Sequence, residues 1–247
     1  MRAMILAAGL GTRLRPLTID RPKALVEING RTLLEIALTR LRSFGISNVI
    51  INVHYLADRI VEYLKINANF GMRVDISRED VLLDTGGGLK KAARFFLEDP
   101  SEGPFLLYNV DIVSNIDFQL MFERHLESDA LATLAVQERP SSRQLLFDDD
   151  NLLCGRRSED DAPEIVRASP QYRPLAFCGI HVISPRIFSL LTESRTFPII
   201  PAYLRLAGQG EKILGFRADE YDWRDLGTPE SLTAAADSKA GTFPDQA

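Results

Sequence analysis

The chain is poor in cysteine: among 247 residues only Cys154 and Cys178 occur, they form no metal-ligand spacing, and they do not require a disulfide. It also lacks a basic excess. With 29 Lys and Arg against 34 Asp and Glu the net charge is −5, which argues against a nucleic-acid binder. No apolar run approaches membrane-spanning length, and the N-terminus enters a strand with no signal-peptide layout, so a soluble cytoplasmic protein is expected. Two common phosphate loops are missing as well. No G-x-x-x-x-G-K-[ST] run exists, and in the one near-match to G-x-G-x-x-G the last position is Leu14. A nucleophile–base set such as Ser-His-Asp is not apparent, and neither is an internal repeat or an interdomain linker.

What is present begins at residues 4–25, MILAAGLGTRLRPLTIDRPKAL. An apolar strand, Met4–Ala8, runs into a glycine-spaced loop carrying Thr12, Arg13 and Arg15, followed by Lys23 behind Pro22. Gly9 and Gly11 let backbone N–H groups approach an anion closely. Arg13 offers a planar fork for phosphate oxygens and Lys23 a compact point charge. The loop sits where open α/β sheets bind ligands, at the carboxyl end of a first strand. It reads as equipment for a polyphosphate.

Strands and helices alternate beyond it. Helices are expected over Leu33–Phe44, Ala57–Ile66, Gly88–Leu97 and Phe118–Leu126, with strands over Asn48–Val53, Met72–Ser77, Phe105–Tyr108 and Ala130–Val136. That order implies a mostly parallel sheet covered on both faces. The texture then turns polar. Asp148-Asp149-Asp150-Asn151 lies between short apolar runs and reads as a turn ahead of a metal site. Strand character returns at Phe177–Ile183 and Lys212–Phe216, with helical segments near Pro185–Leu191, Ile199–Ala207 and Pro229–Ala236. The expected organisation is one domain over residues 1–236, with a β-rich flap inserted at about 137–176 and a frayed tail over 237–247.

The first stretch resembles the G-x-G-T-R-x-x-P-x-T…P-K motif of the sugar-1-phosphate nucleotidylyltransferases, within nucleotidyltransferase family A. Gly9, Gly11, Thr12, Arg13, Pro16, Thr18, Pro22 and Lys23 all match it. The resemblance implies a Rossmann-like three-layer α/β sandwich with a mostly parallel, mixed central sheet. It also implies Mg²⁺-dependent transfer of a nucleotidyl group from an NTP to a sugar 1-phosphate, with release of pyrophosphate. Ala8, Gly9, Gly11, Thr12 and Arg13 would bind the nucleotide, with Arg13 and Lys23 catalytic. Lys23 would also meet the sugar phosphate.

Four further segments extend the resemblance. Asp111 follows the strand FLLYNV, where the family places a magnesium-binding aspartate, although the usual neighbouring glycine is Val110 here. Residues 223–229, WRDLGTP, resemble W-x-D-[IVL]-G-T-P, so Asp225 is implied as the second carboxylate on the metal. In LLDTGGGLK, three glycines opening a helix are expected to lie against the nucleotide base: Gly86, Gly87 and Gly88. FCGIHVISP resembles the strand lining the sugar-phosphate pocket, with Gly179 close to the sugar and His181 a packing residue. The family's E-K-P lysine has no counterpart, and Arg156 or Arg157 are candidates to replace it. His54 fits either a substrate contact or a loop-stabilising role. The alternatives are a choline-phosphate-type cytidylyltransferase and a non-catalytic nucleotide-sugar-binding regulator. The partners expected are small molecules, with neither nucleic acid nor membrane, and the sequence points to no oligomeric state.

Overall fold

Strand β1 (Arg2–Leu6) is apolar on both faces: Ala3 and Ile5 enter one core and Met4 the other. A strand buried on both sides belongs inside a covered sheet. In the computed structural model, which describes residues 1–98 and 103–237, β1 lies between two parallel partners. A short hairpin of β2 (Glu27–Ile28) and β3 (Arg31–Thr32) leads to α1 (Leu33–Ser43), whose first turn is capped by Thr32 Oγ1 accepting from Glu35 N–H at 3.0 Å. Next come β4 (Asn48–Val53), α2 (Ala57–Ile66), β5 (Arg73–Arg78), α3 (Asp84–Lys91), α4 (Ala93–Leu97), β6 (Phe105–Asn109), β7 (Ile112–Ser114), α5 (Phe118–Ser128) and β8 (Ala132–Gln137). The excursion β9 (Arg143–Phe147), β10 (Leu153–Ser158) and β11 (Glu164–Ile165) returns through the long β12 (Arg173–Ile183). The chain then forms α6 (Ile187–Leu190), α7 (Ile199–Gly208), β13 (Ile213–Arg217), β14 (Trp223–Asp225) and α8 (Pro229–Asp237).

The main sheet runs β5-β4-β1-β6-β12-β8-β13, and every strand in that row except β12 points the same way. β9, β10 and β11 extend it from the first residues of β12. Alternate residues of the inner strands feed two separate cores. One is closed by α1, α2, α5 and α8, the other by α3, α4, α6 and α7. This is the three-layer α/β sandwich with a mixed, mostly parallel sheet. No described helix is long and apolar enough to cross a membrane.

From β1 the chain steps outward to β4 and β5, then comes back to place β6 on the other side of β1. The carboxyl ends of β1 and β6 therefore part at a topological switch point, which opens a crevice there.

Two expected boundaries move. β1 stops at Leu6, two residues short of Ala8, because Ala7 N–H donates to the side-chain Oδ1 of Asn52 at 2.8 Å and leaves the ladder. The helix expected from Gly88 begins at Asp84, so the glycines lie inside it. Asp148 forms the turn read from the sequence, its Oδ1 accepting from Asp150 N–H and Leu152 N–H. The expected tail over 237–247 lies, beyond residue 237, outside the described residues.

Two histidines are buried, His181 on β12 and His125 on α5. Burial pushes His181 down to about 3 and His125 down to about 4, so both are neutral in the fold. In the unfolded chain each takes a proton below about pH 6.5, so their stabilising effect is full above that pH and is lost as pH falls towards the folded values. By pH 5 the two together should cost on the order of 4 kcal/mol. Thermal melts at pH 7.5, 6 and 5 should show a falling Tm, and a flat profile would contradict neutral burial.

Candidate active site

The loop after β1 is built as a stiff cradle. Gly11 has φ +64°, and a Cβ there would come within 3.0 Å of Thr18 Cγ2 and 3.1 Å of Lys23 Cβ, so only glycine meets both demands. Thr18 Oγ1 donates to Gly11 O at 2.7 Å, and Leu14 N–H donates to the same carbonyl at 2.9 Å. Leu14, which breaks the dinucleotide pattern, is fully buried and pins the turn into the core. Thr12–Leu14 form a single 3₁₀ turn, leaving Thr12 and Arg13 exposed above it. A cavity of about 300 Å³ opens between β1 and β6, and its wall includes Ala8, Gly9, Lys23, Asn109 and Asp111.

Two carboxylates are aligned by a ribbon separate from the main sheet. β7 and β14 pair antiparallel, with Asp225 opposite Ile112, the residue after Asp111. Leu226 N–H donates to Asp111 O at 2.8 Å and locks that register. The ribbon thus sets side by side two acids 114 positions apart in the chain. A Cβ built on Gly227 would fall 2.6 Å from Asp225 Oδ1, 2.8 Å from Arg13 Nη2 and 3.1 Å from Asp111 Oδ2. Two carboxylates and a guanidinium converge on that point. Lys23 Nζ adds an ion pair with Asp111 Oδ2, both side chains being only 14% and 13% exposed.

The electrostatics follow from the crowding. Burial, and then the charge of Asp111, hold the Asp225 carboxyl above its ordinary range. The Gly227 N–H, Lys23 and Arg13 pull it back. Among the described residues no group of three or more His, Cys, Asp or Glu could hold a metal. Two adjacent carboxylates are the oxygen donors that suit a hard dication, which takes its remaining oxygens from water and substrate.

Sequence reasoning missed the two polar groups behind this wall. Asn52 and Glu79, 2% and 4% exposed, form a relay between strand ends. Asn52 Oδ1 accepts from Ala7 N–H, Asn52 Nδ2 donates to Glu79 Oε1 at 2.8 Å, and Glu79 Oε2 accepts from Leu83 N–H at 2.9 Å. The carboxyl ends of β1, β4 and β5 and the entry to α3 are tied together. The available signal was an asparagine inside the otherwise apolar strand NVIINV.

The triglycine segment needs a corrected explanation. Gly86, Gly87 and Gly88 are buried within α3, not in a loop before it. A Cβ at Gly86 would lie 2.3 Å from Phe197 Cε2, one at Gly87 2.7 Å from Arg195 O, and one at Gly88 2.8 Å from Glu79 Oε1. The protein's own atoms already demand glycine at all three, while Asp84 and Thr85 are the α3 residues lining the cavity. Gly86→Ala should therefore destabilise the fold by about 1–3 kcal/mol through overpacking, read as a fall in Tm. Gly87→Ala should do the same. A raised KM for nucleotide at unchanged Tm would instead return these glycines to the binding surface.

The other expected residues divide. Gly179, at φ +75°, interrupts the β12 ladder, and a Cβ there would sit 2.8 Å from Asn109 Nδ2, so it backs the cavity wall from behind Asn109. His54 Nδ1 lies 2.8 Å from Glu79 O and lines a second cleft beside the first, in a loop-stabilising position. Arg156 and Arg157 are exposed on β10, paired with Glu164 and Gln144 respectively. Asp111 caps no helix; that task at α5 falls to Asp117, whose Oδ1 accepts from Leu120 N–H.

A profile of the family described as nucleotidyl transferase matches residues 2–145. The chain is 35% identical over 241 residues to the N-acetylmuramate alpha-1-phosphate uridylyltransferase of Caulobacter vibrioides, covering 94% of each. It is 27% identical over 247 residues to the mannose-1-phosphate guanyltransferase of Debaryomyces hansenii, covering 94% of this chain but 62% of that protein. The solved structure of HddC from Yersinia pseudotuberculosis with GMP-PN shares the fold at TM-score 0.74 and 24% identity, over 95% of this chain and 97% of that one. The glycine-spaced cradle lies inside the profile match, and the Caulobacter relative aligns along almost the whole chain: this protein is an enzyme of the nucleotidyl transferase family.

Proposed function

We propose that the cleft between β1 and β6 transfers a nucleotidyl group from an NTP to a sugar 1-phosphate. The observation that carries this reading is the convergence of Arg13, Lys23, Asp111 and Asp225 at the switch point. In the reaction an oxygen of the sugar phosphate forms a bond to the α-phosphorus while the bond from that phosphorus to the bridging oxygen of pyrophosphate breaks. The attacking oxygen is already an anion, so no general base is required. Rate then comes from alignment and from neutralising the charge gathered around the α-phosphate.

Arg13, exposed at the rim, holds the departing pyrophosphate with its planar fork. Lys23 sits between the α-phosphate and the incoming sugar phosphate and screens one anion from the other. Ala8, Gly9, Gly11 and Thr12 supply backbone amides to the triphosphate. Asp111 and Asp225 would hold a divalent cation, Mg²⁺ by ligand type, which supplies charge neutralisation at the reacting phosphate. The Asn52–Glu79 relay keeps the strand ends at fixed separation while substrates exchange.

UTP with N-acetylmuramate 1-phosphate is the first substrate pair to try, after the relative matched end to end, and GTP with mannose 1-phosphate the second. The test is pyrophosphate release across a grid of NTPs and sugar 1-phosphates, with Mg²⁺ and with excess EDTA. Release from at least one pair, abolished by EDTA, is expected. No release from any pair would overturn the reading.

A further inference from the structure

Arg139 is a cation that the reaction as described does not use. It follows β8, and β8 runs parallel to β1 and β6, so Arg139 leaves the sheet on the same edge as the cradle and Asp111. Its guanidinium carbon lies 3.8 Å from the centroid of the Trp223 ring, and Nη2 donates to Phe177 O at 2.9 Å. Trp223 is itself fixed, its Nε1 donating to Cys178 O at 2.8 Å. Trp223 and Asp225 are two apart on β14, so their side chains leave the same face roughly 7 Å apart. Arg139 is thereby seated on a rigid aromatic platform one side-chain position away from the acidic pair.

The charge of Arg139 has no protein counterpart. Among the described residues no carboxylate lies within ion-pair distance of it, and its Nε is buried with no acceptor. Nor does the neighbouring thiol serve: burial pushes Cys178 up to about 12 despite the guanidinium beside it, so it is not a thiolate. A half-buried guanidinium that meets a backbone carbonyl and a neutral thiol but has no counter-ion is set up for an anion from outside. Arg156 and Arg157 are both exposed, Arg156 paired with Glu164 and Arg157 giving two of its N–H groups to Gln144. The strand beneath Arg139 carries Gly179, whose missing side chain keeps Asn109 close.

We propose that Arg139 binds the anionic acceptor, the phosphate of the sugar 1-phosphate, and takes no part in holding the NTP. The proposal rests on the reading of the cleft as a sugar-phosphate nucleotidyl transfer site. It assigns the acceptor to the Trp223 side of the acidic pair and the NTP to the β1 side. Arg139 is half-exposed and its removal leaves the Trp223–Cys178 bond in place, so the variant should fold.

Trp223 is the only tryptophan of the chain, which makes its fluorescence a direct report on this seat. Titration of the unmodified protein with N-acetylmuramate 1-phosphate, mannose 1-phosphate and glucose 1-phosphate should give a saturable change with at least one of them. Arg139→Ala should abolish that change and raise the acceptor KM roughly ten- to a hundredfold, the range of a lost charged hydrogen bond, with the KM for NTP within twofold. Arg139→Lys should recover part of the loss. If the unmodified enzyme releases pyrophosphate but Arg139→Ala leaves the acceptor KM unchanged and only lowers Tm, Arg139 is a strut for Trp223 and the proposal falls. An equal rise in both KM values would overturn it too. If no substrate pair releases pyrophosphate yet a sugar phosphate still shifts the fluorescence through Arg139, the transfer reading fails and the anion seat stands. Silence in both assays sinks both.

Discussion

Replacing Asp225 with asparagine is expected to lower turnover at least about a hundredfold while leaving the melting temperature within a few degrees, the loss typical of a removed transition-state charge stabiliser. Asparagine keeps the size of the side chain and an oxygen for the Gly227 N–H bond at 2.7 Å. The β7–β14 register, held by main-chain bonds, is untouched. What disappears is one negative charge, which Asp111 and burial already oppose. The fold therefore loses little, and the reaction would lose one of the two carboxylates proposed to hold the cation. Asp111→Asn makes the instructive contrast. It also strands the Lys23 ammonium, so it should cost stability as well as rate. Pyrophosphate release at saturating Mg²⁺, run beside thermal melts, separates the two. Near-normal turnover in Asp225→Asn would rule out the two-aspartate site.

Arg13→Ala is expected to cut kcat/KM for NTP by about 10²–10³, the scale of a lost charge stabiliser on a leaving group. Its guanidinium is exposed, and when it is truncated Asp111 keeps its Lys23 partner while Asp225 loses only one of the positive charges near it. A stability readout should therefore be almost silent. Arg13→Lys keeps the charge but loses the fork, and should regain only part of the activity. Full activity in the lysine variant would reduce Arg13 to a surface charge. Because kcat and kcat/KM should fall together, a change confined to KM would likewise speak against a role in the transition state.

Much of this was legible in the residues. The cradle, Asp111 and Asp225, which the structure brings together, could be picked out because each lies in a short local motif that resembles one of the family's. The alternation of strand and helix likewise exposed the layered sheet, since a strand such as NVIINV shows its two-sided burial in its own composition. What escaped notice was non-local. Asn52 and Glu79 acquire meaning only when β4 and β5 lie side by side. Three glycines in a row looked like room for a ligand, yet the space is filled by Phe197 and the Arg195 carbonyl, more than a hundred residues on. The antiparallel placement of β12 between two strands of the other direction has no local signature at all. Arg139, in a polar run full of arginines, could be told from Arg156 and Arg157 only by what lies underneath it.

The ribbon of β7 and β14 has a consequence for synthesis. The cradle, Lys23 and Asp111 are all made within the first half of the chain, whereas Asp225 lies on β14, which pairs with β7 but follows β8 and β13 in the chain. A ribosome-bound chain that has reached residue 200 carries the glycine-spaced loop and Asp111 without Asp225. On the proposed reading, transfer is withheld until translation has delivered β14, and a product ended before that strand should release no pyrophosphate.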